Sequence, residues 1–264
     1  MPLTKILQFV ALAILFAAAF RPFWARGRGD GTSYWPTLGA VTLSSAGLAV
    51  SLTLSGWHTD FGTALWATVA ASCVVFAAIA LVNVQARGLM VLLMPYLAVL
   101  GVLGTLVQGE PFAMTSAPAA WLDIHIGLAV AVTGFLTVAA VSSTALSLQE
   151  RALKYKQTRW YQPVLPSVND AEMLSGRLLL LVEVLLAVGL ASGMALNYLQ
   201  TGVLLKLDHK TLLSIIAFFL IGALLIGHRV CGVRGRMAAR VVLAAYLLVM
   251  LASAGVKFIT QVLL

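Results

Sequence analysis

The stretch DHKTLLSIIAFFLIGALLIGHRVCGVRGR, residues 208–236, decides how the rest of the chain is read. It opens on a polar cluster, Asp208-His209-Lys210, and continues through an uncharged apolar run from Thr211 to Gly227. It closes on His228 and a basic loop holding Arg229, Arg234 and Arg236. A helix rises ~1.5 Å per residue, so a run of this length nearly crosses the hydrocarbon layer of a bilayer. The sequence therefore predicts a membrane helix with a polar cap at each end and a histidine at its basic end.

Working outward, the same pattern recurs through the whole chain. Of the 264 residues, 61% are hydrophobic and 10% charged, and the mean hydropathy is +0.99. Soluble domains carry about 25% charged residues. The chain is read as an all-α polytopic membrane bundle of about eight spans, with the lipid bilayer as its first partner. The expected spans are 3–20, 36–55, 62–83, 88–107, 121–148, 176–200, 211–228 and 238–263. They form a single integral membrane domain over 1–264, with four accessory spans in 1–119 and a core in 120–264. Gly27, Gly29 and Gly31 break the chain before the second span, and Pro111 and Pro118 mark a loop. The longest polar stretch, 149–169, contains Pro163 and Pro166, and Asp170 with Glu172 opens the sixth span in the manner of a capped helix.

The net charge of +8 is a product of topology and gives no reason to expect nucleic acid as a partner. With both termini outside, thirteen of the 17 Lys and Arg fall on the inner side; only Lys5, Lys206, Lys210 and Lys257 fall outside. The positive-inside rule selects that orientation. The first twenty residues share features with a signal peptide. Arg21, Arg26 and Arg28 follow the apolar run, however, which suits a retained helix. His58, His125 and His209 then lie at or near the outer face and His228 at the inner one. The two cysteines, Cys73 and Cys231, form no CxxC or CxxCH motif, so neither thiol redox chemistry nor covalent c-type haem attachment is indicated.

Ionisable residues inside spans are few. Glu183 lies about 10 Å in from the inner face by helical rise. Such a group costs roughly 2.5–3.5 kcal/mol to insert and normally faces a bundle interior. It is read as an interhelical hydrogen-bond partner or, alternatively, as part of a solute or ion path. Lys257 reads as a residue that snorkels outward. Small residues in the sixth span, Ala187, Gly189, Ala191, Ser192 and Gly193, read as close-packing positions. There is no HExxH or HxxxH, phosphate loop or Ser-His-Asp set, so the chain is not read as an enzyme. Neutral imidazole is a common axial ligand of haem iron, and haem is apolar enough to sit between membrane helices. Trp121 and His125, four residues apart, share a helix face. Trp121 reads either as an interfacial anchor or as a haem contact.

WLDIHIGLAVAVTGFLTVAAVSSTALSLQERALKYK, residues 121–156, resembles the opening of the core of the cytochrome c assembly protein family, haem-handling membrane proteins of the CcsA and CcmC type. Residues 207–211 resemble that family's turn before the next helix. Gly227-His228 with Gly232-Val233-Arg234-Gly235-Arg236 resembles its inner segment, and Gly255-Val256-Lys257-Phe258 its final helix. The resemblance is nearest to the short YpjD-like branch, with Pro166-Ser167 and Glu172 also matched. It implies a protein of the bacterial inner membrane that binds haem b noncovalently, passes it on without chemistry of its own, and meets other membrane proteins of cytochrome assembly. It places His125 where the family has an external haem-ligand histidine and His228 where it has a histidine near the cytoplasmic side. His58 and His209 are the available second ligands for an external site, and Met94 or Met250 for an internal one. The family's Trp-rich segment is absent here, since Gly202 to Asp208 contains no Trp, and so is its second external histidine. These departures give an alternative: a non-catalytic accessory subunit that kept the fold and lost the haem.

Overall fold

A computed structural model describes residues 2–24, 33–54, 60–107, 119–156 and 159–255. They form eight long helices: α1 (Pro2–Trp24), α2 (Tyr34–Leu54), α3 (Phe61–Val82), α4 (Met90–Leu106), α5 (Ala119–Lys154), α6 (Val168–Thr201), α7 (His209–Val230) and α8 (Gly235–Met250). A short 3₁₀ turn, Gln85–Leu89, precedes α4, and a π turn, Leu251–Gly255, extends α8. Every helix is long and apolar enough to span a bilayer, and no strand occurs among the described residues. The eight expected spans are all present. The clearest departures are in α5 and α6, which continue past the hydrocarbon-sized runs at the end where they approach each other.

Local chemistry sets the ends. Asp60 caps α3 by accepting from the backbone N–H of Thr63 at 3.2 Å. Ser167 caps α6, its hydroxyl accepting from the Asp170 N–H at 3.2 Å and donating to the Asp170 carboxylate at 2.6 Å. The far end of α6 closes on Gly202, whose φ of 72° lets its N–H return to the Tyr198 carbonyl. The connection from α5 to α6 folds back under Gln149, whose amide nitrogen reaches the carbonyls of Gln162, Leu165 and Pro166 at 3.0–3.3 Å.

The helix α5 is the hub. It packs along α6, α8 and α3, while α1, α2, α3 and α4 pack among themselves and α7 lies against α6 and α8. In lipid no hydrophobic force drives helices together, so close packing and interhelical hydrogen bonds carry the association. Both are visible. Ser143 on α5 meets Ser175 on α6 hydroxyl to hydroxyl at 2.8 Å, and Ser142 donates to the Ala171 carbonyl at 2.9 Å. On the other side Gly134 lets α5 touch α3: a Cβ there would lie 2.9 Å from the Ala71 Cβ. The hydroxyls of Tyr96 (α4) and Tyr246 (α8) bond each other and tie the N-terminal helices to the core. Outward faces of α6 and α7 are largely uncovered, with Leu180, Val184, Val188 and Phe219 about half exposed or more, as lipid-facing residues are.

Candidate functional site

The helices α5 to α8 enclose two cavities, one toward each end of α7. The first, of about 370 Å³, is lined by His125, Leu186, Gly193, Met194 and Leu205 and by Lys210 from the first turn of α7. The second, of about 510 Å³, is lined by His228 from the last turn of α7 together with Glu172, Arg177, Leu179, Arg229 and Arg234. Both volumes fall in the range of ligand-binding pockets, roughly 300–1,000 Å³. Residues 210–214 of α7 line one and 224–229 the other, a separation on the order of 20 Å along the helix. His125 and His228 therefore belong to different sites.

His125 is held by α6. Its Nδ1 lies 2.8 Å from the Ser192 hydroxyl, and that hydroxyl donates its single proton to the Gly189 carbonyl at 2.9 Å. When that proton points to the Gly189 carbonyl, Ser192 accepts from His125, Nδ1 carries the ring proton and Nε2 keeps its lone pair; when the hydroxyl turns to Nδ1 the tautomer is reversed. Trp121, one turn earlier on the same face, donates through Nε1 to the Ser192 carbonyl at 3.3 Å. Gly193 lies under the ring: a Cβ there would stand 3.0 Å from His125 Cε1. The expectation that Trp121 and His125 share a face holds, and their common neighbour is a stretch of α6 that reads in the sequence as packing alone.

His228 reaches the same state by another route. After α7, Gly232 turns at φ 65° and Val233 returns its N–H to the Gly227 carbonyl at 3.2 Å. The Val233 carbonyl thereby lies 2.9 Å from His228 Nδ1. A carbonyl only accepts, so Nδ1 again carries the proton and Nε2 is left as the basic nitrogen. The turn is strapped down by Arg234 to Glu172 of α6 at 4.0 Å and by Arg236 to Glu150 of α5 at 3.7 Å.

This chain belongs to the cytochrome c assembly protein family. The family model described as Cytochrome C assembly protein matches residues 34–264. A relative in Azospirillum brasilense, named "Uncharacterized 28.8 kDa protein in nifR3-like 5'region", is 45% identical over 266 residues, covering 97% of each chain. No solved structure matches the chain.

The remaining sequence candidates fare differently. His209 begins α7, is exposed, and lines neither cavity although Asp208 and Lys210 line the first. It is not placed as a partner ligand to His125. His58 and Lys257 lie outside the described residues. Met94 is wholly buried on α4, and neither it nor Met250 lines the His228 cavity. Met194 and Met173 do line the two cavities, and the sequence reading passed over both. Asp208 pairs with Lys206 at 3.8 Å. Glu183 faces Gly222 of α7, where an added Cβ would be 2.8 Å from its Oε1. Its buried Oε2 has no hydrogen-bond partner among the described residues, so the expected interhelical hydrogen bond is not formed there.

The donor set suits haem better than a bare metal ion. Among the described residues no three His, Cys, Asp or Glu side chains converge. Haem iron brings four equatorial nitrogens of its own and asks the protein for one or two axial ligands and an apolar slot. An imidazole whose Nδ1–H is engaged, with Nε2 free, is the form in which histidine ligates.

Proposed function

We propose that this protein is a haem-binding, haem-handling membrane protein linked to cytochrome c assembly, holding haem b noncovalently and passing it on without chemistry of its own. His125 and His228 serve as axial ligands through Nε2, each in its own cavity. One observation supports the reading: two histidines from different helices, at opposite ends of the bundle, each engage Nδ1 in a hydrogen bond and line a cavity with apolar and cationic walls. Family membership supports it as well. Bound haem supplies redox-active iron, and its two carboxylates favour cationic neighbours. Lys206 and Lys210 line the first cavity and Arg177, Arg229 and Arg234 the second. The distribution of Lys and Arg supports an orientation with the His228 end toward the cytoplasm, and the reading takes the membrane to be a bacterial inner membrane.

The test is an absorption spectrum of detergent-purified protein supplied with haem, oxidised and reduced, beside His125→Ala and His228→Ala. A Soret band that shifts or shrinks in either variant supports the assignment. A folded, monodisperse protein with no Soret band overturns it. The family fold would then serve an accessory subunit without haem, and a stable partner should appear in a mild-detergent pulldown.

A further inference from the structure

The two histidines engage Nδ1 through unlike partners, and the difference singles out a residue. At His228 the acceptor is the backbone carbonyl of Val233, which no side-chain change removes. At His125 it is the hydroxyl of Ser192, buried on α6, and a hydroxyl is able to donate as well as accept. The carbonyl of Gly189, three residues earlier, lies 2.9 Å from that oxygen and can take its only proton, which leaves the hydroxyl an acceptor toward His125. With the proton so placed, the chain Gly189 carbonyl, Ser192 hydroxyl, His125 Nδ1 runs in one direction. Reversing it would leave the Gly189 carbonyl without this donor and transfer the ring proton to Nε2, where no iron can bind.

We infer that Ser192 is the positioning residue of the His125 site, keeping Nε2 unprotonated and aimed by the bond to Nδ1, with Gly193 leaving the room the ring needs. The inference rests on the haem reading for its consequence but not for its geometry. Outer-shell partners of ligating histidines commonly change metal affinity 10–100-fold when removed.

The experiment has two readouts. The first uses haem-free protein with ¹⁵N-labelled histidine in detergent micelles, where ring nitrogen shifts distinguish protonated from unprotonated nitrogen. Wild type should show His125 as a single Nδ1–H tautomer, Ser192→Ala a mixture, and Ser192→Thr the wild-type state, with His228 unchanged throughout. The second is haemin titration in a His228→Ala background, so that one site is read. Ser192→Ala should weaken binding roughly 10–100-fold, Ser192→Thr should restore it, and His125→Ala should abolish it. Gly193→Ala, which displaces the ring without touching the hydroxyl, should also weaken it. A Ser192→Ala protein that keeps the single tautomer overturns the inference, and so does one that loses the tautomer but binds haemin as well as wild type. If His125→Ala itself leaves binding intact while Ser192→Ala scrambles the tautomer, the haem reading at this site fails and the hydrogen-bond assignment stands.

Discussion

Replacing Gly134 by alanine tests the crossing on which the architecture depends. The new Cβ would lie 2.9 Å from the Ala71 Cβ, 3.0 Å from its carbonyl carbon and 3.2 Å from its oxygen, against ordinary contact from 3.4 Å. Two of the three obstacles are backbone, so no rotamer change relieves them. The axes of α3 and α5 must separate by about 0.5 Å, and overpacking of that kind costs about 1–3 kcal/mol. Against this stands the helix-propensity gain of Gly→Ala, about 1 kcal/mol. The net loss is then roughly 1 kcal/mol, or about 2–4 °C in Tm for a chain of this size. Gly127 on the same helix is the internal control. A Cβ there meets nothing within 4 Å, so Gly127→Ala collects the propensity gain alone and should be neutral or stabilising. The assay is thermal unfolding of both variants in one detergent, followed by tryptophan fluorescence. The order should be Gly127→Ala at or above wild type and Gly134→Ala below. A Gly134→Ala protein as stable as Gly127→Ala would refute the close α3–α5 approach.

Ser143→Ala and Ser175→Ala should each destabilise slightly, and their double-mutant cycle should show a coupling of about 0.6 kcal/mol, typical of hydrogen bonds between membrane helices; additivity would mean the 2.8 Å contact contributes nothing. Gln149→Leu leaves three backbone carbonyls without their donor and should cost about 1–3 kcal/mol, visible as faster proteolysis of the α5–α6 connection. Glu183→Gln keeps the shape while removing the ionisable group, so the Tm should hold or rise; a marked fall would show that its carboxylate is paired. His209→Ala should leave any haem spectrum as in wild type, because this side chain faces neither cavity; loss of the Soret band would put it back in the site.

The membrane architecture was legible because it is written locally. Each apolar run exceeds what a soluble helix tolerates, and Pro163 and Pro166, which mark the break before the sixth span, lie outside helices. His125 and His228 stood out as candidates through the family resemblance of residues 121–156 and 227–236. Their surroundings did not. Ser192 reaches His125 across 67 residues, and in sequence it is one small residue in a Gly- and Ala-rich stretch that reads as packing. Helical periodicity says which face a residue occupies but not which distant helix covers that face. The Val233 carbonyl was further out of reach, since a backbone acceptor has no sequence signature and here depends on a glycine turn. Met94 shows the same limit: its depth in the core is not legible in an apolar helix, and packing alone reveals that it is wholly enclosed.

The segment where the resemblance leads one to look for tryptophans gives the last constraint on the His125 site. Leu204, Leu205 and Lys206, from the connection between α6 and α7, line the cavity itself. The wall is therefore built from the expected part of the chain but from aliphatic and cationic groups instead of aromatic ones. Leucines offer apolar contact without the flat stacking surface of an indole. A planar ligand held here would gain less orientation from the wall and depend more on its axial bond and on Lys206 and Lys210. In such a site the histidine's tautomer matters more than where an aromatic platform shares the work, and the hydroxyl of Ser192 becomes the natural place to tighten or loosen the grip.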